Sequence, residues 1–174
     1  MDHNFQMEES FSNNDRFHQK YLLRCVELAK KALEAGDKPF GSILVNKEGT
    51  ILAEARNRVN EIHSLSHPEF ELAQWALENL TPIERKQSIL YTSGEHCPMC
   101  AGANGWAGIG KIVYASSAAQ LSIWLKGLQI NDLPLNLIPI QEIIKDVEIV
   151  GPFESFYHQI KTLHFQYYSR QKKI

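Results

Sequence analysis

Two short segments constrain this chain more than anything else in it: His67-Pro68-Glu69 and Cys97-Pro98-Met99-Cys100. Each reads as a helix start, because proline sits comfortably in a first helical turn, where its missing N–H costs no hydrogen bond. Residues three apart at a helix start occupy neighbouring positions on one face, so the sulfurs of Cys97 and Cys100 can reach a common point. The partial positive charge of that helix end favours thiolate over thiol. Ser88 to Thr92 reads as a strand between the two segments. If the segments form one site, the fold has to bring together two helix starts separated by a strand.

Taken singly, the segments are ambiguous. Ser66-x-x-Glu69 matches a capping box, and His67 alone is an ordinary helix-start residue. A redox Cys-x-x-Cys would follow an early strand with its first cysteine exposed. A structural zinc site would need four protein ligands, and the chain has neither a second Cys-x-x-Cys nor a His-x-x-x-His. Taken together they offer one imidazole, two thiols and a carboxylate. Three soft ligands suit Zn²⁺ and leave a position open for water, which is the layout of a catalytic metal site.

The rest of the composition narrows the setting. A length of 174 residues suits one domain with a sizeable core, and 44% hydrophobic residues are ordinary for a globular protein. The formal net charge of -2 argues against a nucleic-acid partner, which usually demands a basic surplus. Arg170, Lys172 and Lys173 make only a small basic end, expected to be a solvated terminus. Met1 to Asn14 is polar and acidic, unlike a signal peptide, and no apolar run is long enough to span a bilayer. The cytoplasm is the expected compartment, where three cysteines make no disulfide framework.

Helical spacing of Leu22, Val26, Ala29 and Leu33 predicts a helix over 16–35, stopped by Gly36, with Cys25 a buried small hydrophobe beside the stripe. Phe40–Val45, a turn at Asn46–Gly49 and Thr50–Ala55 read as a hairpin. His67–Asn79 is helical, with Phe70, Ala73 and Leu77 expected on the buried face. The helix begun at Cys97 ends near Gly105–Gly110, and Lys111–Ala115 is a strand. Ala118–Leu128 reads as helix, Leu133–Ile140 as extended loop, Val147–Val150 as a last strand, and Phe153 to Tyr167 as an amphipathic helix. Strands joined by helical crossovers predict a three-layer α/β/α sandwich around a mixed five-stranded sheet. Residues 1–15 are expected to be a loose lead-in and 16–174 a single domain. Trp106 and Trp124 are expected in the core or an interface, and Phe165, Tyr167 and Tyr168 in core packing. Nothing in the spacing of His63, His158 or His164 assigns them a role.

His-x-Glu with a following Cys-x-x-Cys resembles the zinc-dependent cytidine deaminase-like superfamily. Pro39 to Val45, Asn57-Arg58, Thr92 to Ala101 and Ile112 to Ala115 look like the nucleoside/guanine deaminase and tRNA adenosine deaminase branch. The resemblance implies that His67, Cys97 and Cys100 hold Zn²⁺, that Glu69 is the proton shuttle, and that Asn57 contacts the substrate. It implies hydrolytic deamination of a nucleobase, nucleoside or related aminated heterocycle, with guanine or a cytosine-type ring favoured, by a homodimer. A tRNA adenosine deaminase and a non-catalytic zinc-binding interaction module are the alternatives. Two positions depart from the pattern. Pro68 stands where relatives usually have alanine, and His96 where they usually have proline. The middle residue's N–H often donates to the substrate ring, and Pro68 has none, so altered base selectivity is expected. His96 is expected to be structural or to line the pocket; as the residue directly before Cys97 it points away from both sulfurs. The backbone carbonyl of Glu95 is a further candidate to meet the substrate amino group.

Overall fold

The computed structural model describes residues 13–131 and 133–171. Helix α1 (Asn13–Glu34) buries Leu22, Val26, Ala29 and Leu33 with Cys25 on the predicted stripe. Gly36, at φ 90, lets the chain turn back after it. Most of the expected lead-in (1–12) lies outside the described residues, but its last residues, 13–15, are already helical. Strands β1 (Gly41–Val45) and β2 (Ile51–Arg56) form the expected hairpin. Helices α2 (Pro68–Asn79) and α3 (Pro82–Gln87) lead into β3 (Ile89–Gly94), and α4 (Pro98–Ala107) into β4 (Lys111–Ser116). Helix α5 (Ala118–Gly127), an extended stretch, β5 (Glu148–Val150) and α6 (Tyr157–Gln171) complete the chain.

The sheet order is β2-β1-β3-β4-β5, antiparallel on the hairpin side and parallel from β3 to β5. Alternation along the strands divides the core into two layers. Ile43, Val45, Tyr91 and Val113 pack with α1, α5 and α6 on one face. Leu44, Leu90, Ile112 and Tyr114 pack with α2 and α4 on the other. This is the predicted three-layer sandwich around a mixed five-stranded sheet. Because β1 runs against both β2 and β3, the start of β1 and the ends of β2, β3 and β4 fall on one rim.

Three local details go beyond the sequence reading. Helix α2 buries Glu69, Leu72, Ala73 and Ala76, whereas Leu77 is exposed. Packing of α2 against both α4 and the sheet sets which of its faces is buried. Helix α3 carries no buried residue and so shows no hydrophobic period; its mark is the capping box formed by Thr81 and Glu84. Trp106 is 91% exposed, which leaves an interface as the one of its two expected settings that fits, while Trp124 is buried as expected. Tyr167 and Tyr168 are buried in the core, and Lys172 and Lys173 of the basic end lie outside the described residues.

Candidate active site

The rim shared by β1 to β4 carries both motif segments. His67 is the N-cap of α2 and Cys97 the N-cap of α4, each followed by a proline at the first helical position. His67 makes no side-chain capping bond and Ser66 does not cap Glu69, which frees both motif side chains for the space between the helices. His67 Nδ1 lies 3.7 Å from Cys97 Sγ and 3.6 Å from Cys100 Sγ. One ligand atom from each residue falls within 4.8 Å of the others, so His67, Cys97 and Cys100 form a group that could hold a metal ion.

The electrostatics are those of two sulfurs sharing one proton. The contact between them pushes Cys97 down to about 4 and Cys100 up. Hydrogen bonding to Cys97 also raises the His67 imidazole. A cation held between them would replace this opposition by keeping both sulfurs as thiolates.

Glu69 reaches the same space from the first turn of α2 and is 4% exposed. Burial pushes its carboxyl above the usual carboxylate range, and it interacts with the Cys100 thiol. Thr92 Oγ1 donates to Glu69 Oε1 at 2.8 Å, and Ser42 Oγ donates to Thr92 Oγ1 at 2.9 Å. A line of hydroxyls thus runs from β1 through β3 to the carboxyl, fixing one oxygen and leaving the other for chemistry. Asn104, one turn beyond Cys100, donates through Nδ2 to the carbonyls of Glu69 at 3.1 Å and Cys100 at 3.0 Å. That amide ties the helix bearing the carboxyl to the helix bearing the cysteines.

Asn57 follows β2 on the same rim and is 1% exposed. Its Oδ1 accepts from the Val59 N–H at 3.2 Å, and its own N–H donates to the Phe40 carbonyl at 2.9 Å. The side chain is therefore held in one orientation by its own loop. His96 is fully buried but lies outside the ligand group; burial lowers its imidazole to about 3, and neither ring nitrogen has a protein partner. The Glu95 side chain does something else: Oε2 accepts from the Ala118 N–H at 2.6 Å and Oε1 from the Ile140 N–H at 2.7 Å. Thr92, Ser42 and Asn104 carry no motif signal. Their one hint is polarity at positions where the pattern calls for apolar residues. His164, without a role by spacing, is buried with its ring 5.0 Å from Phe40 and 5.8 Å from Trp124.

Comparison with known proteins adds to this geometry. The family model of the MafB19-like deaminases matches residues 14–151. A guanine deaminase of Bacillus subtilis is 39% identical over 57% of this chain and 64% of its own length. A probable cytosine deaminase of Schizosaccharomyces pombe is 30% identical over 76% of this chain and 82% of its own length. A tRNA-specific adenosine deaminase of Bacillus subtilis is 36% identical over 55% of this chain and 60% of its own length. The matched region thus spans under two thirds of two of these relatives. Among solved structures, the guanine deaminase from Nitrosomonas europaea superposes with a TM-score of 0.59 at 21% identity, covering 86% of this chain and 83% of that one. The Bacillus subtilis guanine deaminase superposes with a TM-score of 0.54 at 30% identity, covering 70% of this chain and 82% of that one.

Proposed function

The chain belongs to the MafB19-like deaminase family, and from that premise we propose that residues 16–174 are a single zinc-dependent domain that hydrolytically deaminates a nucleobase or related aminated heterocycle. The observation that carries this reading is the convergence of His67, Cys97 and Cys100 beside a buried carboxyl that is not one of the ligands. A tetrahedral zinc at about 2.3 Å from sulfur and about 2.1 Å from nitrogen implies sulfur–nitrogen edges of about 3.6 Å. The two sulfur–nitrogen separations here, 3.7 Å and 3.6 Å, fit that ion.

Bound there, zinc would act as a Lewis acid that lowers the pKa of water from about 16 towards 7, supplying a nucleophile at neutral pH. The remaining work falls to this chain's own side chains. Glu69 takes the proton from the attacking water and gives it to a ring nitrogen. It then takes the proton of the hydroxyl now on the ring carbon and delivers it to the departing amine, so that ammonia leaves and a ring carbonyl forms; one group serves both directions. A carboxyl raised by burial suits such a carrier. Thr92 holds Oε1, which leaves Oε2 to carry the proton. Asn57 hydrogen-bonds the far edge of the ring. Guanine or a cytosine-type ring is the favoured substrate, supported by the guanine and cytosine deaminases among the relatives.

Two other readings remain in competition. The 36% identity to a tRNA-specific adenosine deaminase supports a nucleic-acid substrate, but a net charge of -2 gives little to neutralise phosphates. Tight, salt-sensitive tRNA binding would reverse this ranking. A non-catalytic zinc module has no use for Glu69. The deciding experiment measures ammonia release from a panel of bases and nucleosides by the zinc-loaded protein and by Glu69→Ala. The variant should retain its zinc and lose roughly a hundred- to ten-thousandfold in turnover, on the order of what a positioned acid–base group contributes. Equal rates would sink the mechanism. The assembly is proposed to be a homodimer in the cytoplasm, with exposed Trp106 on α4 available for an interface; sedimentation of the loaded protein reads its mass directly.

A further inference from the structure

Lys38 lies three residues before β1, on the rim that carries the metal-ligand group. Gly41 pairs with Arg56 of β2 and Ser42 with Thr92 of β3, so the segment before Gly41 overhangs the end of β3, where Cys97 follows. Phe40 fixes its position. A Cβ at Gly94 would sit 2.7 Å from the Phe40 ring, and the Phe40 carbonyl receives the Asn57 N–H. The Lys38 carbonyl in turn accepts from the Phe40 N–H at 2.8 Å. Lys38 is thus bound into the same short segment that contacts Asn57 and the turn before Cys97.

Lys38 is half-buried, and among the described residues no carboxylate or hydrogen-bond acceptor pairs with its ammonium. The adjacent Asp37 is engaged elsewhere, accepting from the Asn60 N–H at 2.7 Å and from Arg56 Nη1 at 3.4 Å. The antiparallel pairing of Ser42 with Thr92 and the approach of Phe40 to Gly94 set Lys38 beside the turn that leads into Cys97, and its charge acts on Cys97, His67 and His164. Burial disfavours that charge. A divalent cation already balances two thiolates, so charge neutrality does not require a lysine. An ammonium kept partly out of water without a partner is costly unless a ligand supplies one.

We propose that Lys38 is a specificity-determining residue whose ammonium donates to an electron-rich oxygen of the substrate, either a ring oxo group or a phosphate. This rests on the deaminase reading above and narrows it to heterocycles that carry such an oxygen in addition to the amine. Adenine, which has an amine and no oxygen, is disfavoured; cytosine-type rings and nucleotides are favoured.

The test measures binding of cytosine, adenine, CMP and AMP by calorimetry to the zinc-loaded full chain, comparing the parent, Lys38→Met and Lys38→Arg, with zinc content recorded for each. Loss of a hydrogen bond to a charged group weakens binding roughly ten- to a hundred-fold. If the oxygen is the ring oxo group, Lys38→Met loses that factor for cytosine and CMP but not for adenine and AMP. If it is the phosphate, the loss falls on CMP and AMP alone. Lys38→Arg restores most of the affinity in either case. Equal weakening of all four probes, no weakening, loss of zinc in place of affinity, or a parent that binds none of them overturns the role of Lys38. Ammonia release is scored separately on the parent protein: its absence for every probe is failure of the deaminase reading, whatever the binding data say of Lys38.

Discussion

At the scale of single residues, the site is a set of side chains whose roles depend on what each can no longer do. Glu69 cannot cap its helix while Thr92 holds it, and Thr92 is held in turn by Ser42. Thr92→Val breaks that line and leaves a buried carboxyl oxygen without its donor. A hydrogen bond to a charged group is worth about 1.5–3 kcal/mol, so kcat should fall by about tenfold or more with KM and zinc content little changed. Steady-state kinetics on the loaded variant checks this, and a pure change in KM would contradict it. Pro68, buried at the first position of α2, has no N–H to offer a substrate. Pro68→Ala restores the donor without disturbing the helix start, and it should reorder the relative kcat/KM values of a base panel. An unchanged order would remove Pro68 from the account of selectivity. The motif residues were legible from spacing alone, since His-x-Glu and Cys-x-x-Cys have few other uses in combination. Thr92, Ser42 and Asn104 were not, because a threonine in a strand is also what strand propensity asks for. Only the pairing of Ser42 with Thr92 across the sheet reveals the line of hydroxyls.

At the scale of elements, the ends of strands and the starts of helices are where the chain spends its polar groups. Glu95 stands between β3 and α4, yet its carboxylate binds the first N–H of α5 and the N–H of Ile140. It thereby fastens the segment after β4 and the extended stretch before β5 to the turn that presents Cys97. Glu95→Ala leaves both N–H groups without their acceptor, at about 1–3 kcal/mol each if water does not replace it. Urea denaturation should show a loss of about 2–6 kcal/mol, with zinc affinity falling as the turn loosens. A variant as stable as the parent would mean that water serves equally well. The periodic elements, α1, β1 and β4, matched their expected bounds closely because their buried faces repeat without interruption. Helix α3 escaped because an exposed helix has no such repeat, and the α2 face shifted because a neighbouring helix sets its register.

At the scale of the whole molecule, two core layers close over the sheet, and the layer made by α1, α5 and α6 holds an imidazole. Burial lowers His164 to about 3, with the Lys38 charge pushing the same way. An unfolded chain protonates it at about 6.5. Between those values the unfolded state binds the extra proton, so stability rises with pH there. Above about pH 6.5 this group contributes no pH dependence; as pH falls below that, stability is lost progressively towards pH 3. By pH 5 the loss amounts to about 2 kcal/mol from His164 alone, at 1.36 kcal/mol per pH unit. Replacing it by phenylalanine, which suits the surrounding Phe40 and Trp124 rings, should flatten the acid limb of a stability profile by that amount. Parallel profiles for the two proteins would show that the imidazole escapes to solvent before it is protonated.

The sequence by itself determined the motif residues, the reaction class and the architecture. The candidate ligand set, the helix starts and the alternation of strands with helices are local properties, and local properties can be read along a chain. The tertiary structure alone decided how that chemistry is supported: the hydroxyl line to Glu69, the Asn104 tie between helices, the sealed rings of His96 and His164, and Lys38 overhanging the end of β3. Each depends on strand register or on which face of a helix meets its neighbour, and these are fixed by packing between residues far apart in sequence.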